Sequence, residues 1–260
     1  MKKQAEKASR MPSFENTFRN LNLNQRVSTV SPFVSKSVWE ENGGAGDAST
    51  VEVWYGGLDL SARTDLTSFV MVGRDANGLL VVEPYFWTPE KGLYDRARTD
   101  RQPYDIWVKQ GLMRTTPGAT VDYEFVVADM AEIIDDRHVQ ALAFDRWRID
   151  VFKKECERME IEFPMIEFGQ GFKDMSPALD NLEAELLNGK IAHEMNAPLT
   201  MCAANAVVTK DPAGNRKLDK HKAVGRIDGM VALAMAVGVM EKEVEQEPPS
   251  PWDDESFSIL

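Results

Sequence analysis

Three apolar runs rich in β-branched and aromatic residues stand one after another at 51–60, 68–72 and 79–86, before any helical periodicity begins. Side chains alternate across a strand, and such residues suit a half-buried pleated surface, so each run predicts a strand. Asp75-Ala76-Asn77-Gly78 separates the second run from the third, and Gly78 can take the positive φ that a tight turn needs. The three strands therefore read as an antiparallel meander. Helical and extended patterns then alternate. Helices are expected at about 90–111, at 123–137, at 149–159, at 177–187 with Ser176 as its cap, and at 227–241. Short buried strands are expected at 139–144 and 163–168, and a β-hairpin at 207–218 around Asp211-Pro212-Ala213-Gly214-Asn215. A meander followed by alternating helix and strand implies an α/β protein, a mixed β-sheet flanked by helices, with the hairpin added.

Flanking this body, residues 1–50 mix Ser, Asn and Gly and read as a linker, with Asn42-Gly43-Gly44-Ala45-Gly46-Asp47 as a flexible loop. Residues 244–260, with three prolines and a run of acids, read as an acidic extended tail. The organisation expected is 1–50, 51–243 and 244–260. At 260 residues and 43% hydrophobic, the chain can bury a sizeable core without staples. Cys156 and Cys202 are its two cysteines and form no CxxC pair, which excludes a zinc ribbon and fits a reduced compartment. No window approaches the roughly 18 apolar residues that span a bilayer, and no apolar stretch follows the basic N-terminus. A soluble protein retained in the cell that makes it is expected.

The formal charge of −12 argues against a chain that coats nucleic acid. Its distribution is uneven. Residues 241–255 carry seven acids against Lys242 alone, whereas 207–226 carry Lys210, Arg216, Lys217, Lys220, Lys222 and Arg226 against two acids. Such a basic patch is either a solvated face or a local contact for a phosphate backbone.

Three acids interrupt segments otherwise destined for burial. Asp59 lies in the first strand between Leu58 and Leu60, Asp145 ends the strand Ala141-Leu142-Ala143-Phe144, and Asp228 opens the last apolar helix. Each alone could pair with an arginine or favour a helix N-terminus. Together they suggest a shared cation, because an unpaired buried carboxylate is costly. Oxygen-only ligands of this kind suit Mg²⁺ or Mn²⁺, and a pair of such ions about 3.5–4 Å apart can hydrolyse a phosphodiester. Asp65, six residues after Asp59, either caps a turn or joins the same site.

The segments 57–68, Pro103-Tyr104-Asp105-Ile106-Trp107, Ala143-Phe144-Asp145-Arg146-Trp147, Phe168-Gly169-Gln170-Gly171-Phe172 and 226–233 occur in this order. They resemble the nuclease domain of tailed-phage terminase large subunits over about residues 51–240. The resemblance implies an RNase H-like fold and a metal-dependent endonuclease that cuts concatemeric double-stranded viral DNA during genome packaging. It implies that Asp59 bridges two metal ions, that Asp145 and Asp228 each complete one, and that Asp65 is an accessory acid. It further implies portal and small terminase subunit as partners, and the host cytoplasm as the setting. Residues 12–19 and 23–26 resemble the junction between that family's ATPase and nuclease domains.

No G-x-x-x-x-G-K-[ST] phosphate loop occurs, since Gly189-Lys190 is followed by Ile191. ATPase activity is therefore not expected, and a truncated chain or a split gene would account for it. Two other readings compete with the nuclease. An actin-like nucleotide-binding fold would use glycine where Ser61, Ala62 and Arg63 stand. A non-catalytic packaging module would dock to a portal through the tail, but would have no need of intact Asp59, Asp145 and Asp228. His193-Glu194-Met195-Asn196-Ala197 fails the HExxH pattern, and no G-x-S-x-G elbow exists.

Overall fold

The computed structural model describes residues 3–5, 18, 22, 32–60, 65–146 and 149–246, with side chains to 242. Most of the expected 1–50 linker, the loop at 61–64, Trp147-Arg148 and the tail beyond 246 lie outside the described residues.

Among the described residues the meander forms as expected: β1 (Trp54–Asp59), β2 (Thr67–Arg74) and β3 (Leu80–Pro89) are antiparallel neighbours. The short β4 (Arg114–Thr116) runs parallel to the end of β3. On the other side of β1, β5 (Val139–Phe144) and β6 (Met165–Glu167) are parallel additions. The strand order is β4-β3-β2-β1-β5-β6, with β7 (Ile191–Ala192) pairing with the start of β3. A three-stranded meander whose first strand carries parallel neighbours on its free edge is the RNase H-like arrangement. The hairpin β8 (Val208–Lys210) and β9 (Arg216–Leu218) forms a separate two-stranded sheet.

Helices cover both faces. α1 (Lys36–Glu41), which precedes β1, and α2 (Leu93–Asp100) with α3 (Tyr104–Lys109), which follow β3, bury Val38, Trp39, Leu93, Tyr104 and Trp107 in the core shared with Val70, Val72, Ala141 and Ala143. Next, α4 (Tyr123–Ile134) and α5 (Ile149–Met159) bury Val126, Val127, Met130, Ile149 and Phe152 against Leu58, Phe69, Met71 and Phe144. The opposite sheet face, with Val70, Val72, Ala141 and Ala143, receives α6 (Phe172–Leu187), α7 (Ala197–Asn205) and α8 (Asp228–Gln246). Alternation along β1 and β2 thus feeds two cores.

The last helix is buried on every side from Met230 to Val237, as a helix apolar all round must be. Its seat on β1 depends on Gly57. A Cβ there would stand 2.0 Å from the Ala232 carbonyl oxygen and 2.8 Å from the Ala236 nitrogen, so only glycine lets the helix backbone lie directly on the strand.

Three expectations need correction. The single helix at about 90–111 is two, because Arg101 takes a left-handed conformation (φ 53°) and Pro103, with no N–H, cannot continue the first. Ser176 does not cap a helix: α6 starts at Phe172 after Gly171, Pro177 lies inside it, and Ser176 Oγ accepts from the Arg216 N–H at 3.0 Å. The folded unit also begins earlier than residue 51. Phe33, Val34, Val38 and Trp39 are buried, and Asn42 donates to the Val38 and Leu186 carbonyls at 2.8 and 2.9 Å. The polar and glycine-rich composition masked these apolar anchors.

Candidate metal centre

Asp59 is the last residue of β1 and is 3% exposed. In the parallel pairing of β1 with β5, Leu58 lies opposite Phe144, and both face the α4–α5 core. One residue further along each chain come Asp59 and Asp145, side by side at the carboxyl ends of the two central strands. Asp228 is the first residue of α8 and is 8% exposed. Because Gly57 draws α8 onto β1, the start of the helix falls beside the end of the strand. The sequence thus uses a strand end, a neighbouring strand end and a helix start to bring its three misplaced acids to one edge of the sheet.

Two of these carboxylates share a cation. Lys220 Nζ lies 2.6 Å from Asp59 Oδ2 and 3.2 Å from Asp228 Oδ1. Gln170 Nε2 donates to the other Asp59 oxygen at 3.1 Å. Burial opposes the charge on Lys220, but the two carboxylates outweigh it and raise its pKa. Burial pushes the Asp228 carboxyl up, Lys220 counters this, and the like charge of Asp59 adds to it. Cys202, fully buried near Asp228, has its thiol pushed far up by burial, which makes it an inert core residue. Asp145 is half-buried and has no ion pair with another described residue.

Charge at this edge is therefore unbalanced: two carboxylates share one ammonium, and Asp145 stands unpaired among the described residues just past the end of the neighbouring strand. A further group is unsatisfied. Ser68, paired with Asp59 across β1 and β2, has a buried hydroxyl with no hydrogen-bond partner among the described residues. Carboxylate and hydroxyl oxygens with surplus negative charge form a donor set that fits Mg²⁺ or Mn²⁺. No ready-made cage exists, however. Among the described residues, no three His, Cys, Asp or Glu side chains stand close enough to hold a metal ion as they are.

The remaining candidates fall around this centre. Asp65 does not join Asp59 and Asp228 but pairs with Arg226, which also meets Asp100 at 3.2 Å; Asp100 in turn accepts from the Tyr104 hydroxyl at 2.9 Å. The basic patch at 207–226 is more committed than its charge suggests. Arg216 is held by Asp180 and, at 2.8 Å, by Glu183. Lys217 stacks over Phe172 at 5.0 Å, and Lys222 donates to Thr209 at 3.1 Å. Lys210 is exposed.

Sequence reasoning missed Ser68 and Gln170 as neighbours of Asp59, and took Lys220 for a backbone contact rather than a partner of carboxylates. The register of the first hairpin points to Ser68, a polar residue in an apolar run. Nothing local singles out Lys220 from the five other basic residues near it.

The sequence model of a family described as "Terminase large subunit, endonuclease domain" matches residues 1–244. The terminase large subunit of Enterobacteria phage HK97 is 62% identical over 260 residues, covering 100% of this chain and 51% of that protein. Protein YmfN of Escherichia coli (strain K12) is 28% identical over 262 residues, covering 92% of this chain and 56% of that protein. Among solved structures, the crystal structure of the HK97 bacteriophage large terminase superposes with a TM-score of 0.77 at 63% identity, covering 91% of this chain and 49% of that one. The chain thus spans about half the length of the relatives it matches.

Proposed function

The chain belongs to the family of terminase large-subunit endonuclease domains, and from that premise we propose that it hydrolyses phosphodiester bonds of double-stranded DNA during viral genome packaging, with two Mg²⁺ or Mn²⁺ ions. The observation that supports this reading is that Asp59 and Asp228 share the single Lys220 ammonium at the sheet edge, with Asp145 just past the end of the neighbouring strand β5. Asp59 would hold both ions, Asp145 and Asp228 one each. When bound, the ions supply an activated water and neutralise charge on the leaving oxygen.

The chain's own residues prepare that chemistry. Gln170 fixes one oxygen of Asp59 and so sets the plane of the carboxylate whose other oxygen faces Lys220. Asp228 stands in the first turn of α8, where the helix dipole opposes the rise that burial imposes on its carboxyl. Ser68 keeps a hydroxyl free to donate beside Asp59. Lys210, Lys217 and Lys222, on the hairpin and the loop after it, would touch the DNA backbone without reading bases. Arg226, gripped by Asp65 and Asp100, would hold the loop before α8 in place. In the assembled packaging machine of the infected cell, portal and small terminase subunit are the proposed partners, and concatemeric DNA the substrate.

The test is a supercoiled-plasmid digest with Mn²⁺, Mg²⁺ or chelator. Nicking is expected with either metal and not with chelator. Asp59→Asn, Asp145→Asn and Asp228→Asn should each lower it by more than about a hundredfold. Cutting at the wild-type rate by all three variants would overturn the assignment.

A further inference from the structure

Lys220 is the only described cation within salt-bridge reach of Asp59 or Asp228. It reaches them from a loop distant in sequence, 161 residues after Asp59. The loop is built to hold it there. Asp219 N–H donates to the Val207 carbonyl at 2.9 Å, and the Asp219 carboxylate accepts from the N–H groups of His221 and Lys222 at 3.0 and 3.2 Å. Lys220 thus sits in a short turn beside Asp219, whose own carboxylate pairs with Lys222 at 3.6 Å. Beyond the turn, where Ala223 N–H donates to the Asp219 carbonyl at 3.1 Å, Val224 is 91% exposed although apolar. The chain is fastened again at Arg226, whose carbonyl accepts from Asn205 at 3.2 Å.

We propose that Lys220 is an internal stand-in for a divalent cation: it holds the carboxylates of Asp59 and Asp228 together while no metal is bound, and metal entry expels it. The inference rests on the metal-dependent reading above and adds to it a competition built into the chain. Two buried carboxylates repel each other, and one ammonium makes that pairing tolerable. The ammonium lies within 3.2 Å of an oxygen from each, so a cation bound by the same oxygens and Lys220 exclude one another. Lys220 departs still protonated; no proton transfer is required. Its side chain, already 40% exposed, has a route to solvent and to the face where the hairpin lies. Binding of metal at the sheet edge and release of the 219–222 turn are then one equilibrium, and each must oppose the other by the same factor.

The experiment uses the full chain without DNA, so that no cleavage enters the readout. Free Mn²⁺ is titrated by its electron paramagnetic resonance signal against wild type and Lys220→Gln. In parallel, trace acetylation of wild type is read by mass spectrometry at Lys220, relative to exposed Lys36, with and without Mn²⁺. Loss of the internal competitor should tighten Mn²⁺ binding by about tenfold, and Mn²⁺ should raise acetylation of Lys220 at least about fivefold. Mn²⁺ bound equally by both proteins, with Lys220 equally protected throughout, would overturn the competition and leave the metal-dependent reading standing. Failure of either protein to bind Mn²⁺ would remove both. The acetylation arm needs no variant and holds even if Lys220→Gln does not fold.

Discussion

Two buried polar clusters lie at opposite ends of the antiparallel strands, and they are built on opposite plans. At the start of β3, His193 stacks on Trp39 with ring centroids 3.8 Å apart. Its Nδ1 accepts from the Met195 N–H at 3.2 Å, so its Nε2 carries the proton and donates to the Trp39 carbonyl at 2.9 Å. Asn42 beside it donates to two carbonyls and accepts from Ile191 N–H. Every one of these groups has a partner. At the other end, Asp59, Asp228 and Ser68 leave charge uncompensated and a hydroxyl unpaired. A polar cluster that is complete serves the fold; one that is incomplete in the apo chain keeps valence for a ligand. The difference separates structural polarity from functional polarity without reference to any relative.

The two clusters should answer substitution in opposite ways. The largest effect belongs to the acidic end: Asp59→Asn and Asp228→Asn lose nicking as stated above, yet their thermal midpoints in chelator should match wild type or exceed it, since each relieves a carboxylate pair. A fall of more than about 5 °C in both would show that the acids hold the fold instead. Next comes Asn42→Ala, which strands two buried carbonyls and one N–H. It should cost about 2–4 kcal/mol in a denaturant titration while leaving nicking at 25 °C unchanged.

The third effect is a pH dependence. Burial lowers the pKa of His193, so the folded chain binds fewer protons there than the unfolded chain does. Stability from this group is complete above about pH 6.5, the unfolded value, and is lost as pH falls below it, with a slope of at most about 1.4 kcal/mol per pH unit. His193→Gln should flatten the midpoint between pH 7 and 5.5, whatever its offset; an unchanged slope would contradict the neutral, single-tautomer histidine. The smallest effect concerns the rim of the acidic end. Lys222→Ala should leave stability alone and reduce the salt slope of DNA binding by about one, measured by fluorescence anisotropy in Ca²⁺.

How much of this could be read from the chain follows the same division. The meander was legible because β-branched alternation and the Asp75–Gly78 turn are local signals, and α8 because an apolar run of its length has one outcome. The two-residue β7 and three-residue β4 were not, since so few residues carry no period and pair only because β3 presents an open edge. Residues 33–39 were misread because their apolar positions are sparse and sit among serines and glycines. At the acidic end, Asp59, Asp145 and Asp228 stood out as acids in apolar surroundings. Their partners did not. Lys220 meets Asp59 only through the path of the hairpin and the loop after it, and Arg216 is drawn to Asp180 and Glu183 by the packing of β9 on α6. Long-range pairing of charges is decided by topology, which local patterns do not encode.

The missing side chain at position 57 has a bearing on how this chain can vary. Since strand and helix meet main chain to main chain, the gap between the ends that carry Asp59 and Asp228 is gauged by peptide groups, which are the same in every sequence. Interior methyl groups that do not touch α8 can be exchanged without moving that gauge. Drift in the core and fidelity of the reactive edge are thereby decoupled, and a single added methyl at 57 would join them again.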